Sequence, residues 1–191
     1  MRCRWVEAVM VCGLLAGCEK GGPSKVGAPT PKANTGIKMD VRLKGVDADG
    51  RMAMKYTADG DDVSPAVSWS GAPAGTQELA LVVDDPDAPL NEPFVHWVMY
   101  KIPAAAPGLE EGVPKQARLA SGALQGQNSM GGIGYSGPNP PKENGPHHYH
   151  FHVYALDSAL KLEPGAEKKA VLKAITGHVL AEGEAVGVYS R

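Results

Sequence analysis

Cysteine is nearly missing from this chain. It holds three in 191 residues, all inside the first eighteen, at Cys3, Cys12 and Cys18. Everything after Cys18 is thiol-free, which excludes a disulfide framework and a thiolate zinc site there and leaves the fold to its core. Aromatic residues are few, at 6% with two phenylalanines. An excess of positive charge is missing too. Removing Arg2, Arg4 and Glu7 with an N-terminal signal would take 19 basic and 21 acidic residues to 17 and 20. Such a surface does not gather nucleic acid through counterion release. After Cys18 no apolar run approaches the roughly 20 residues a membrane-spanning helix needs.

The N-terminus reads as a processing signal. Arg2 and Arg4 precede an apolar run from Ala8 to Leu15, too short to span a bilayer. Leu15-Ala16-Gly17-Cys18 resembles the bacterial lipobox, in which the peptide is cut before a cysteine that carries lipid. Residues 1–17 are therefore expected to be a lipoprotein signal peptide and Cys18 the lipidation site. The protein would be exported and anchored in the bacterial cell envelope. An ordinary secretory peptide is the competing reading. Residues 18–36 are rich in Gly, Pro, Ser, Lys and Ala and read as a flexible linker with a reach of roughly 20–25 Å. Residues 37–191 then form one domain, large enough to bury about 70% of its surface.

That domain reads as mainly β. Ile37, Met39, Val41 and Leu43 alternate with charged residues, the pattern of a half-buried strand. Val67–Trp69 predicts a short strand. Leu79–Val83 is a continuous apolar run, which predicts a central strand covered on both faces. Phe94–Ile102, His147–Leu156 and Glu184–Tyr189 predict further strands. The spacing predicts a helix over Ala166–Thr176, ended by Gly177. Residues 104–146 read as Gly- and Pro-rich loop. Many strands and one or two short helices imply an antiparallel β-sandwich.

Chemistry-bearing residues gather in three places. In Asp84-Asp85-Pro86-Asp87-Ala88-Pro89 the prolines hold Asp85 and Asp87 in place. His96 lies in an otherwise apolar strand and needs a partner, for which an Asp from a neighbouring strand end is the candidate. The third place is the strand from His147. Its period sets His147 and Tyr149 on one face and His148, His150 and His152 on the other. The first pair could donate to a ligand; the second set could share a metal or simply face solvent. Met130–Gly137 is glycine-rich enough for backbone N–H groups to turn inward as an anion nest. Gly134-Tyr135-Ser136-Gly137-Pro138 lacks the last glycine of a nucleophile elbow.

Four motifs in order carry a resemblance: Asp84–Pro89, His96-Trp97, Gly134-Tyr135-Ser136-Gly137-Pro138-Asn139-Pro140-Pro141, and Gly145-Pro146-His147-His148-Tyr149. Asp61–Pro65, Trp69–Gly71, Gly177–Ala181 and Gly187–Arg191 add to it. Residues 37–191 resemble the phosphatidylethanolamine-binding protein family, in its bacterial Raf-kinase-inhibitor-like branch. The resemblance implies a β-sandwich with a small pocket for phosphate or a phospholipid headgroup, lined by Asp85, Asp87, His96, Pro140, His147 and Tyr149. Asp85 and Asp87 would orient the histidines and keep them basic. It implies no cofactor, no metal and no catalytic residue, and leaves the His148/His150/His152 face without a ligand role. Asn139 and His148 depart from the residues usual in bacterial relatives, and the chain stops before the C-terminal helix that closes the pocket in eukaryotic members. The leading expectation is a lipid-anchored binding protein for an anionic ligand. A small hydrolase using the His/Asp pocket or a histidine-bound metal is the alternative. A kinase or protease regulator, a protein partner or a homodimer stays open.

Overall fold

The computed structural model describes residues 30–191. The expected signal peptide, Cys18 and the first part of the linker lie outside the described residues. Nine strands and one α-helix follow, with single-turn 3-10 helices at Met54–Tyr56 and Lys142–Asn144: β1 (Ile37–Lys38), β2 (Asp40–Leu43), β3 (Val67–Ser70), β4 (Glu78–Asp85), β5 (Phe94–Pro103), β6 (Gly108–Leu109), β7 (Leu124–Gln125), β8 (His147–Leu156), α1 (Lys168–Ile175) and β9 (Val179–Tyr189). They form a six-stranded sheet, ordered β1-β9-β8-β4-β5-β7, and a three-stranded sheet, β2-β3-β6. All pairings are antiparallel except β1 with β9. The expected β-sandwich is present.

β4 lies centrally in the large sheet, and its whole length is buried. Leu79, Leu81 and Val83 face the small sheet, together with Phe151 and Val153 of β8 and Val41 and Trp69 opposite. Ala80 and Val82 face the other way, against Val171, Leu172 and Ile175 of α1. This is why β4 reads as unbroken apolar sequence: α1 adds a third layer behind the sandwich.

Two expectations change. The alternating run over 37–43 is not one strand. Ile37 and Lys38 pair with β9, whereas Asp40–Leu43 pair with β3 in the other sheet. The chain crosses between sheets at Met39, and Gly183 permits the close crossing, since a Cβ there would lie 2.5 Å from the Met39 carbonyl oxygen. The linker also ends early. Ala33 packs against the core, and Asn34 donates to the Gly177 carbonyl at 2.9 Å, so the folded body begins before Ile37. Among the described residues no helix is long and apolar enough to cross a membrane.

Candidate functional site

β4, β5 and β8 end side by side, and the Gly/Pro loop before β8 folds over them. Together they enclose a cavity of about 330 Å³. Asp85, His96, His147 and Tyr149 line it with Pro140, and Phe94, Leu90, Pro89 and Met130 add apolar wall. Five of the six residues expected at the pocket thus meet there. Asp87 is not among the lining residues.

Asp85 ends β4, is buried, and accepts from three donors. His147 Nδ1 donates to its Oδ2 at 2.7 Å, and the backbone N–H groups of Asp87 and Ala88 donate to its Oδ1 at 2.7 and 3.1 Å. The Asp-Pro-Asp turn is therefore folded around this one carboxylate. Asp87 turns outward, where its Oδ2 accepts from the backbone N–H of His148 at 2.8 Å and from His148 Nδ1 at 2.7 Å. Burial pushes the Asp87 pKa up, but the bonds from His148 outweigh it, and the net shift is downward. The expectation that both carboxylates orient the pocket histidines is corrected: Asp85 serves His147, and Asp87 serves His148.

His96 is oriented by backbone. Its Nδ1 donates to the Ser136 carbonyl at 2.6 Å, while the Ser136 N–H donates to the His96 carbonyl at 2.9 Å. A carbonyl only accepts, so Nδ1 carries the proton. Burial lowers the His96 pKa, against the raising effects of the Ser136 carbonyl and of Asp85. His96 is thus a neutral imidazole above its ordinary range, with a lone pair on Nε2, and is not kept basic as expected. Asp85 likewise engages His147 Nδ1, and among the described residues His147 Nε2 makes no hydrogen bond.

Tyr149 completes the group. Its ring meets that of His96 edge-on, with centroids 5.0 Å apart. The residue is 1% exposed, and its hydroxyl has no hydrogen-bond partner among the described residues. Burial raises its pKa well above the usual phenol value, and Asp85 and Asp87 add to the rise, so it stays a donor. A buried polar group without a partner costs about 1–3 kcal/mol.

Six of the eight N–H groups of the expected anion nest are taken up within the protein. Met130 and Gly132 donate their N–H groups to Asn128 Oδ1, Gly131 to the Asn128 carbonyl and Gly134 to the Gly126 carbonyl. Ser136 donates to His96 and Gly137 to Asp62 Oδ1, the latter at 2.6 Å. Asp62, at a positive φ of 52°, is a positioning residue that residue-level reading missed; its only signal was the Asp61–Pro65 motif. Gln125 was missed as well. It is fully buried, accepts from Trp97 Nε1 and donates to the Pro114 and Gln116 carbonyls, each at 2.7 Å. That fixes the wall of the loop region, and nothing local distinguishes a glutamine that does so.

The family model described as phosphatidylethanolamine-binding protein matches residues 43–190. The chain belongs to the phosphatidylethanolamine-binding protein family. A UPF0098 protein of Methanothermobacter thermautotrophicus is 47% identical over 153 residues, spanning 80% of this chain and 99% of the relative. The crystal structure of YbcL from Escherichia coli, described as a new member of the mammalian phosphatidylethanolamine-binding protein family, superposes with a TM-score of 0.75 at 29% identity, covering 81% of this chain and 99% of YbcL. A Chlamydia trachomatis homologue of the phosphatidylethanolamine-binding proteins gives 0.72 at 33% identity, covering 81% and 98%. The family's β-sandwich and its general character as a binding protein therefore hold for this chain.

Proposed function

We propose that the protein is a lipid-anchored binding module of the cell envelope whose cavity holds an oxyanion, either phosphate or the phosphorylated headgroup of a lipid. The observation that carries this reading is the buried, unpartnered Tyr149 hydroxyl, set in a cavity that His96 and His147 also line. A bound oxyanion would supply the missing acceptor. Each histidine has spent its Nδ1 proton inside the protein, so each offers an anion only a lone pair until Nε2 is protonated. Anion and proton should then enter together. Protonated His147 would face the anion with Asp85 behind it, as a charge-assisted pair. The apolar wall of Phe94, Leu90 and Met130 suits the organic part of a headgroup ester.

Titration calorimetry of the full chain with phosphate and with phosphoethanolamine, between pH 5.5 and 8, tests this. Affinity should rise as pH falls. Tyr149→Phe should weaken binding about ten- to a hundredfold, the worth of a hydrogen bond to a charged group, without lowering the stability of the free protein. Absence of binding throughout, or affinity indifferent to both Tyr149→Phe and His147→Ala, would overturn the reading. Cys18→Ser should release the protein from the membrane fraction.

A hydrolase reading gains nothing from the geometry. Among the described residues no serine or threonine hydroxyl hydrogen-bonds to His96 or His147.

A further inference from the structure

The face of β8 opposite the cavity carries a second constellation. β8 is flanked by β4 and β9, and its outward residues His150 and His152 meet Asp84 of β4 and Glu184 of β9. His150 Nδ1 lies 2.6 Å from Glu184 Oε1, and the two imidazole rings stack with centroids 5.8 Å apart and planes 15° from parallel. His152 stands between two carboxylates without a good bond to either: Nδ1 is 3.5 Å from Glu184 Oε1 and Nε2 is 3.7 Å from Asp84 Oδ1. Those separations are long for hydrogen bonds. The separation from Glu184 is close to the roughly 3.3–3.5 Å between two ligands of one tetrahedral metal ion with bonds near 2.0–2.1 Å.

We propose that His150, His152 and Glu184 bind a divalent transition-metal ion, with water completing its coordination. One donor atom from each of the three lies within 4.8 Å of the others. Closing on an ion requires that the His150–Glu184 hydrogen bond open and the three donors draw together. The His150 and Glu184 side chains are 27% and 44% exposed, so both can turn and the ion can enter from solvent. Two imidazoles with carboxylate oxygen suit Zn²⁺, Cu²⁺ or Ni²⁺. Charge favours a cation. Glu184 and Asp84 oppose one ammonium, that of Lys168 on α1, which contacts Asp84 Oδ2 and leaves Oδ1 toward His152. Glu182 is already paired with Lys38. With neutral imidazoles the cluster keeps one net negative charge.

An independent observation points to a bound group here. Tyr154, next along this face, stacks on His152 with centroids 6.3 Å apart. It is 1% exposed, and its hydroxyl has no hydrogen-bond partner among the described residues. A water or anion carried by the ion would give that hydroxyl a partner. His148 stands apart, because Asp87 holds it.

The test is calorimetry of chelator-treated full-length protein with Zn²⁺ and Cu²⁺ at pH 7.5, with circular dichroism to confirm folding. About one equivalent should bind. H150A and H152A should each weaken binding at least tenfold, E184Q severalfold, and H148A should leave it unchanged. Cys3, Cys12 and Cys18 are common to all variants, so thiol binding cancels in the comparison. The copper complex should show two nitrogen ligands by electron paramagnetic resonance. If packing against Tyr154 makes H152A unfold, the more exposed H150A decides. Failure of the wild type to bind, binding that persists in H150A, or a loss that follows H148A instead would overturn the proposal.

Discussion

Asp85 is the residue on which the cavity is built, and replacing it tests that claim quantitatively. The residue is 4% exposed, and its carboxylate accepts three hydrogen bonds, from His147 Nδ1, Asp87 N–H and Ala88 N–H. Asp85→Ala strips all three donors of their acceptor. At about 1–3 kcal/mol for each orphaned group, less what water entering the cavity recovers, the loss should be about 3–5 kcal/mol. Asp85→Asn keeps the shape. Its amide oxygen can still serve Asp87 and Ala88, while its NH₂ meets His147 Nδ1 and forces the other tautomer, so the cost should be about 1–2 kcal/mol. Urea unfolding at pH 7 measures both, with an unchanged m-value as the check that the two states stay comparable. Asp85→Asn should also flatten the pH dependence of phosphate binding, because the forced tautomer already turns an N–H from His147 Nε2 toward the cavity. An Asp85→Ala loss below 1 kcal/mol, or equal losses for the two variants, would refute the idea that this carboxylate organises the turn and the histidine together.

Two further outcomes follow from the same geometry. Burial lowers the His96 pKa in the folded protein, so the unfolded chain takes up that proton first. The stability His96 supplies is complete above the ordinary value of about 6.5 and is lost as pH falls through the lower folded value. The melting temperature of the ligand-free protein should therefore drop between pH 7 and pH 5 more steeply than that of His96→Gln, while saturating phosphate should reduce the drop; equal slopes would contradict this. Gly137 abuts backbone, with a Cβ there lying 2.8 Å from Ala58 N and from the Tyr56 carbonyl oxygen. Gly137→Ala should cost about 1–3 kcal/mol by overpacking and weaken phosphate binding by displacing the cavity wall, readable by thermal unfolding and calorimetry; a neutral variant would show that this loop yields freely.

Much of the strand layout was legible because strand signals are local. The β8 pattern separated the buried His147 and Tyr149 from the outward His148, His150 and His152. The Leu79–Val83 run announced a strand covered twice, and Gly177 does end the helix region at positive φ. The 37–43 run misled for a physical reason. Alternation records which side chains are buried, not which sheet buries them, and Met39 and Val41 join the same core although the chain changes sheet between Lys38 and Asp40. The glycine loop misled similarly: glycines permit an inward N–H, but Asn128, Gly126, His96 and Asp62 supply acceptors that claim these donors.

By itself the sequence determined the periodic features: the longer strands from β3 onward, the helix and the sidedness of the histidine-rich strand. These follow from backbone geometry repeating every two or 3.6 residues. Only the tertiary structure decided the pairings. Asp85 and Asp87 are two residues apart and look equivalent in the chain. The register of β4 on β8 sets Asp84 opposite His150 and brings Asp85 to buried His147, while Asp87 in the turn beyond β4 reaches exposed His148. Such partners lie some 60 residues away along the chain, and the cost of a missing hydrogen bond is settled only where burial removes water as the alternative.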